Sequence, residues 1–400
     1  MSKAQTGNAK RGMVSKSSTY GRPTIIDCMG PKPPKLSGHR VVCTDECLYS
    51  FGGYAPENRS GRILLTELWQ FHFFVRKWRK IPLKGTIPCE VASSAAVMTS
   101  GRTLILVGGT GIPFGARRNG DVYVCNLQRV DETGAVTWTR IPSKGDVPES
   151  RYGQAVAVHD NALYSVGGTD GHSYSIEVHR LDFHTCEWEL LNVNDKVDSN
   201  LPATRYRHEI VVYNNKIFVF GGGTPHCVYG FDTIPAFDLT TRTWSDIPTK
   251  GLPSSSGQLV PLPRRCHSVV QSACGNWVIL TGGVNEVDDM FDDVWKLELP
   301  TMRWHRFNFN LPQKVYFHSA AITSSGRMYI FGGVVDLRRE QRTNELCAVD
   351  VDVPTLQGLC IDAAVSTAPR LSSLDSTGLL DVGIPYIFHS KIMDINNNDS

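Results

Sequence analysis

Lys216-Ile217-Phe218-Val219-Phe220-Gly221-Gly222 sets four apolar residues directly against a pair of glycines. The arrangement returns in Tyr49 to Gly53, Leu104 to Gly109, Leu163 to Gly168, Trp277 to Gly283 and Met328 to Gly333. From Gly52 to Gly332 the doublets take five steps, a mean spacing of 56 residues. A fixed interval of this size marks a repeat architecture in which each unit is one supersecondary element. The apolar runs are too short for core helices and end in glycine, so they read as buried strands.

A polar loop and a second strand follow the doublets, seen in Glu67-Leu68-Trp69, Asp121-Val122-Tyr123, Glu177-Val178-His179, Asp293-Val294-Trp295 and Glu345-Leu346-Cys347. A tryptophan then lies seven residues on, from Phe71 to Trp78, Leu181 to Trp188, Phe237 to Trp244 and Leu297 to Trp304. From Leu127 to Trp138 the offset is eleven, an insertion of four. The tryptophan supplies one large apolar plate per unit, and the paired glycines let a neighbouring backbone approach closely. Four short strands per unit are expected.

This pattern resembles the kelch repeat over about residues 24 to 350. The resemblance implies an all-β fold, a β-propeller of four-stranded blades, and six doublets imply six blades. The sixth unit lacks its tryptophan, since seven residues beyond Val349 stands Leu356. Upstream, Thr24-Ile25-Ile26 followed by Pro34 and Ser37-Gly38-His39 imitates the end of a unit, as Trp138 to Ile141 does before Pro148 and Arg151. This N-terminal strand is expected to close the sixth blade, because an open ring would leave unpaired edges.

Composition narrows the function. The 400 residues are 41% hydrophobic and 20% charged with a net charge of +2, enough apolar material for a core and no general field for nucleic acid. No run approaches the 18 apolar residues of a membrane span. Residues 1–23 carry Lys3, Lys10, Arg11, Lys16 and Arg22 among Ser, Thr and Gly and read as a disordered basic tail without a secretory signal. Residues 396–400 read as a disordered end, and the sequons at Asn58 and Asn398 then have no route to glycosylation. Eleven cysteines with no CxxC fit reduced thiols in the cytoplasm or nucleus. No GxSxG, P-loop, HExxH or strand-to-helix GxGxxG occurs, so a non-catalytic protein without cofactor is expected.

The segments before each first strand align on Gln154, His208, His267 and His318. That alignment puts Arg151, Arg205 and Arg264 at one position, with Tyr152, Tyr206 and Arg265 next to them and Arg207 and Tyr316 nearby. Guanidinium presents a donor fork that matches a carboxylate bidentately, so an arc of arginines and aromatics at the mouth is suited to a terminal carboxylate. The competing reading is that these arginines satisfy backbone carbonyls or pair with neighbouring acids. The loops after the doublets add Arg59, Arg117, Arg118, His172, Tyr174, His226, Tyr229, Glu286, Asp288 and Asp289 to the opposite wall. His208, His267 and His318 sit at one repeat position on different blades, too far apart for zinc, whose ligands lie about 2.0–2.3 Å from the metal.

Past Asp350 the doublets stop. Thr355 is a plausible helix cap, and Leu356, Cys360 and Ala364 fall at i, i+4 and i+8 on one stripe that needs a partner groove. Gly358 costs such a helix about 1 kcal/mol relative to Ala. The string from Thr355 through Leu356 and Cys360 to Ala364 is similar to a BC box, which docks elongin C. Beyond a Ser- and Pro-containing spacer, Ile384-Pro385, Phe388 and Ile392 look like a Cullin-2 box. Residues 351–395 therefore read as a helical BC-box and Cullin-2-box region.

A kelch ring followed by these boxes resembles the Cullin-2 substrate receptors of the kelch domain-containing family. That resemblance implies a substrate-recognition subunit of a Cullin-2 RING ubiquitin ligase, with elongin B, elongin C, Cullin-2 and a RING protein as partners. It implies capture of C-terminal glycine degrons, the substrate's terminal carboxylate being clamped by arginine. Arg205, Arg207 and Arg264 are the residues expected to hold the carboxylate, and Tyr152, Tyr206 and Tyr316 the residues upstream of it. The alternative is a kelch scaffold that binds a signalling enzyme or actin while the tail folds back on the ring.

Overall fold

The computed structural model describes residues 21–56, 63–192, 201–254 and 257–352. Six antiparallel sheets follow one another along the chain. The first holds Arg40–Cys43, Cys47–Phe51, Leu68–His72 and Lys77–Ile81, in that order from axis to rim. The first strands of the six sheets, Arg40–Cys43, Ala95–Met98, Ala155–His159, Glu209–Tyr213, Ser268–Gln271 and Ser319–Ile322, each touch their two neighbours in a closed circle. The fold is a six-bladed β-propeller.

The seven-residue spacing is a register. Phe71, Leu181, Phe237 and Leu297 lie directly opposite Trp78, Trp188, Trp244 and Trp304 on the adjoining antiparallel strand. The longer offset in the second blade is taken up by the helix Gln128–Thr133, ended by Gly134 in the left-handed conformation at φ 68°. Two blades exceed the expected four strands. Leu83–Gly85 adds in parallel to Val136–Ile141 of the second, and Lys144–Gly145 adds likewise to Glu187–Leu190 of the third. In each case the chain leaving one blade covers the outer edge of the next, which shields backbone donors that an edge strand would expose.

The sixth blade is finished from the far end of the sequence. Thr24 and Ile25 pair antiparallel with Ala348 and Cys347, and the amide of Ile26 donates to the carbonyl of Leu346 at 2.8 Å. The blade order is Ser319–Ile322, Arg327–Phe331, Leu346–Asp350, then Thr24–Ile25. The expected closure is present.

Six apolar clusters hold the ring, each lying between two neighbouring blades rather than within one. The tryptophans act across these interfaces: Trp138 of the second blade packs on Phe51 of the first, and Trp78 of the first on Phe331 of the sixth, both with ring centroids 4.8 Å apart. The glycine doublets make room for the same contacts. Gly221 and Gly222 take positive φ of 55° and 78°, and a Cβ on Gly222 would lie 2.6 Å from the Cβ of His208.

His208, His267 and His318 share their place with Gln154 and His39, wedged beside the glycine doublet of the preceding blade. The Nε2 of His208 donates to the carbonyl of Val166 at 3.1 Å, and Gln154 Nε2 makes the equivalent bond to Val107 at 3.2 Å. Burial holds His39, His208 and His318 down to about 3 and His267 well below its usual value, so all four rings are neutral. Their column is an inter-blade fastening.

One residue before this column the backbone itself closes a circle. The amides of Ser93, Gly153, Arg207, Cys266, Phe317 and Gly38 donate in turn to the carbonyls of Gly38, Ser93, Gly153, Arg207, Cys266 and Phe317, at 2.6–3.1 Å. All six residues are in the left-handed region, with φ between 53° and 67°. The sixfold ring thus carries one identical hydrogen bond per blade at the entrance to its axial channel.

Candidate functional site

That hydrogen-bonded circle frames the mouth of the channel, and the side chains it projects differ by half. Gly38, Ser93 and Gly153 leave one arc open, whereas Arg207, Cys266 and Phe317 crowd the other. Arg207 is held flat by aromatic faces. Its guanidinium lies 4.0 Å from the ring centre of Phe317 and 5.0 Å from that of Tyr206. Both distances are in the range of cation–π attraction. Its Nη1 makes a long polar contact to the Cys266 sulfur at 3.9 Å, and its Nε is buried with no hydrogen-bond partner among the described residues. Among those residues no carboxylate pairs with it. It is a pre-positioned cation with donor capacity to spare.

The aromatic surface extends along the same arc. Tyr206 meets Tyr174 at 5.1 Å and Tyr152 at 6.4 Å, and Phe317 meets Tyr316 at 5.1 Å. Burial raises the phenols of Tyr152, Tyr174 and Tyr316, which keeps them protonated as donors. These groups stand together because Tyr152, Tyr206, Arg265 and Tyr316 occupy one bridging position before successive first strands, pairing with Thr169, Gly223, Val284 and Val334.

The three aligned arginines behave otherwise, and the expectation that they form a free cationic arc is corrected here. Arg264 is 0% exposed, donates to the carbonyl of Gly282 at 3.1 Å and forks onto Asp293 at 2.5 and 3.0 Å. Arg151 pairs with Glu177 at 2.7 Å and Glu149 at 3.4 Å. Arg205, 4% exposed, donates to the carbonyls of Ala203 and Gly221 and lies 4.1 Å from the ring centre of Tyr229. Thr233, four residues before Phe237 in the fourth blade, stands where the third and fifth blades carry Glu177 and Asp293, four residues before Leu181 and Leu297. Burial lowers Arg205 to about 10, opposed more weakly by the neighbouring Tyr229 and Asp246. These guanidiniums satisfy the glycine-doublet carbonyls and neighbouring acids, as the competing reading required. Arg265 is also engaged, donating to the carbonyl of Thr224 at 2.6 Å.

Two residues that the alignment did not single out complete the site. Arg40 of the first blade and Glu209 of the fourth form an ion pair of 2.7 Å across the channel, each side chain 19% exposed, and Arg40 Nε also donates to the carbonyl of Ser94. Among the described residues that line the channel entrance, with the histidines neutral, Arg207, Arg40 and Glu209 leave one net positive charge. Both residues follow the histidine column directly, so the repeat alignment gives their height and blade. That their side chains meet across the axis is a fact of three dimensions. Thr355, Leu356, Cys360, Ala364, Ile384, Pro385, Phe388 and Ile392 lie outside the described residues.

A closed ring of six kelch blades with a charged and aromatic axial mouth defines a kelch-repeat β-propeller. A family model described as the KLHDC2/KLHL20/DRC7 Kelch-repeats domain matches residues 16–168, 114–333 and 232–370. The chain is 41% identical over 360 residues to kelch domain-containing protein 10 of Xenopus laevis, covering 88% of this chain and 84% of the frog protein. It is 39% identical over 359 residues to the Homo sapiens protein of that name, covering 88% and 78% of the two chains. A Drosophila melanogaster homolog of that protein is 38% identical over 383 residues, covering 91% of this chain and 62% of the fly protein. The chain belongs to the kelch domain-containing protein 10 family.

Proposed function

We propose that this protein is the substrate-recognition subunit of a Cullin-2 RING ubiquitin ligase, whose propeller mouth captures the C-terminal carboxylate of proteins ending in glycine. The observation that carries the reading is Arg207, a guanidinium without a carboxylate partner among the described residues, fixed between Tyr206 and Phe317 at the channel entrance. A buried or half-buried cation without its counter-charge is costly, and a ligand carboxylate supplies that charge with two hydrogen bonds. One net positive charge matches one carboxylate. The open arc of Gly38, Ser93 and Gly153 faces Arg207 across the rim and leaves space for a main chain without a side chain at its last residue.

In this reading the protein performs no chemistry itself. The mouth positions the substrate, and residues 351–395 hand it to elongin B, elongin C, Cullin-2 and a RING protein, with Leu356, Cys360 and Pro385 as anchors. Membership of the kelch domain-containing protein 10 family supports a binding role for the propeller.

Two experiments test the two halves. Fluorescence anisotropy with a peptide ending in a free glycine carboxylate and with its amide measures the mouth: the free acid should bind at least about tenfold tighter, and Arg207→Ala should abolish the difference, an effect of about 1.4 kcal/mol or more. Equal binding of acid and amide sinks carboxylate capture. Pull-down from cells with wild type and with the double variant Leu356→Ala, Cys360→Ala tests the tail. Recovery of elongin C and Cullin-2 with wild type alone supports the ligase, whereas no recovery with wild type favours the scaffold.

A further inference from the structure

Phe114 sits on the loop that follows the second glycine doublet and is 53% exposed, although it is a large apolar side chain. The loop is tightly tied. Thr110 Oγ1 donates to the carbonyl of Arg117 at 2.9 Å and accepts from the amide of Gly115 at 2.9 Å, and the amide of Gly111 donates to Arg117 at 2.9 Å. Arg118 Nη1 reaches across to the third blade and donates to the carbonyl of Asp170 at 2.6 Å. The phenyl ring is therefore presented to solvent by a braced backbone.

Its neighbours place it on the mouth. The ring of Phe114 stands edge-on to Tyr54 of the first blade at 5.1 Å, interplanar angle 79°. Tyr54 is itself fixed on the rim, since its backbone bridges to Ser37 and the Arg342 guanidinium lies 4.9 Å from its ring centre. The next residue, Gly115, packs against Gly171 and the hydroxyl of Tyr152, where a Cβ would meet them at 3.4 and 3.6 Å. Phe114 thus spans the rim from the first blade to the third, on the side opposite Arg207 and Phe317 of the fourth and sixth. An exposed aromatic that is ordered, rim-mounted and backed by a second aromatic has the character of a binding anchor.

We propose that Phe114, backed by Tyr54, is a specificity-determining contact for an apolar side chain upstream of the captured carboxylate. The inference rests on the carboxylate reading above. A peptide held by its terminus at Arg207 must leave the channel over the rim, and the Gly38, Ser93 and Gly153 arc, with the smallest side chains of the circle, is the side next to Phe114: Ser37 bridges to Tyr54, Ala92 to Thr110, and Gly115 lies against Tyr152. The occupant is accordingly an extended peptide segment with one apolar residue placed to lie on the phenyl face.

The test uses the full-length protein and fluorescein-labelled peptides that end in glycine, each with Leu or Ser at one of the five preceding positions, as free acids and as amides. Wild type should prefer Leu over Ser about fivefold to tenfold at one position, the scale of a single apolar or aromatic contact. Phe114→Ala should lose that preference, keep the acid-over-amide difference and, being a surface change, keep the thermal midpoint. Phe114→Leu should retain part of the preference. If acid still exceeds amide while the Leu preference is absent, or survives in Phe114→Ala, the contact is overturned and the carboxylate reading stands. If acid and amide bind alike, both fall together.

Discussion

Arg40 and Glu209 meet at 2.7 Å from blades three apart, so a single ion pair ties opposite sides of the ring. Its two charges have different meanings for a carboxylate arriving at Arg207. Arg40 attracts it and Glu209 repels it. Glu209→Gln should therefore tighten binding of a glycine-ended peptide acid by about fivefold and leave its amide unchanged, the effect falling as salt is raised. Anisotropy titrations of both peptides at low and high salt check it, and weaker acid binding would count against the placement.

Arg264 answers a different question. With its side chain fully buried and forked onto Asp293, Arg264→Ala leaves a carboxylate buried without its partner and is expected to cost about 3–5 kcal/mol of stability. Denaturant titration measures it. Arg207→Ala, which removes no ion pair among the described residues, should leave the unfolding free energy within about 0.5 kcal/mol of wild type. The pair of variants separates an arginine that builds the ring from one that meets the ligand.

Four neutral histidines make the ring acid-sensitive. His39, His208 and His318 are held to about 3 and His267 well below 6.5, whereas in the unfolded chain each takes a proton near 6.5. The unfolded state binds more protons throughout that interval. Stability is consequently full above pH 6.5 and falls as the pH drops toward 3, by up to about 1.4 kcal/mol per pH unit for each histidine. Chemical unfolding between pH 7 and 5, above the range where most carboxylates titrate, should show the slope. His208→Gln, borrowing the residue that Gln154 supplies in the third blade, should reduce that slope by one proton.

The closure is testable by deletion. Removing residues 1–28 takes away the strand opposite Ala348 and Cys347 and the packing of Ile26 and Cys28 on the cluster between blades six and one. The loss of several kcal/mol in a chain of this size should lower the thermal midpoint by about 10 °C in one cooperative transition. Calorimetry that finds the midpoint unmoved rejects the closure as a stabilising element.

Much of the fold was legible because repetition converts sequence spacing into geometry. A tryptophan seven residues after a fixed apolar position, found in four of the units, is a register, and six glycine-doublet units with one borrowed strand are a ring. The site was less so. Alignment places Arg151, Arg205, Arg207 and Arg264 at heights on blades but does not say which way a long side chain turns, and three of the four turn into the protein toward carbonyls and acids. The signal that distinguished them was available in part: Glu177 and Asp293 stand four residues before the strand partners of Trp188 and Trp304, ready to receive Arg151 and Arg264. Glu209, 169 residues from Arg40, carried no comparable mark, and Phe114 gains its meaning from Tyr54 and Tyr152 on other blades.

The circle of six amides and six carbonyls at the channel entrance is made wholly of main chain. Its aperture is consequently set without reference to any side chain that lines it. Gly38, Ser93, Gly153, Arg207, Cys266 and Phe317 are interchangeable teeth on a rigid hoop, limited only by what tolerates a left-handed backbone. A protein built this way can change what it grips by one substitution at a tooth while the hoop keeps its bore.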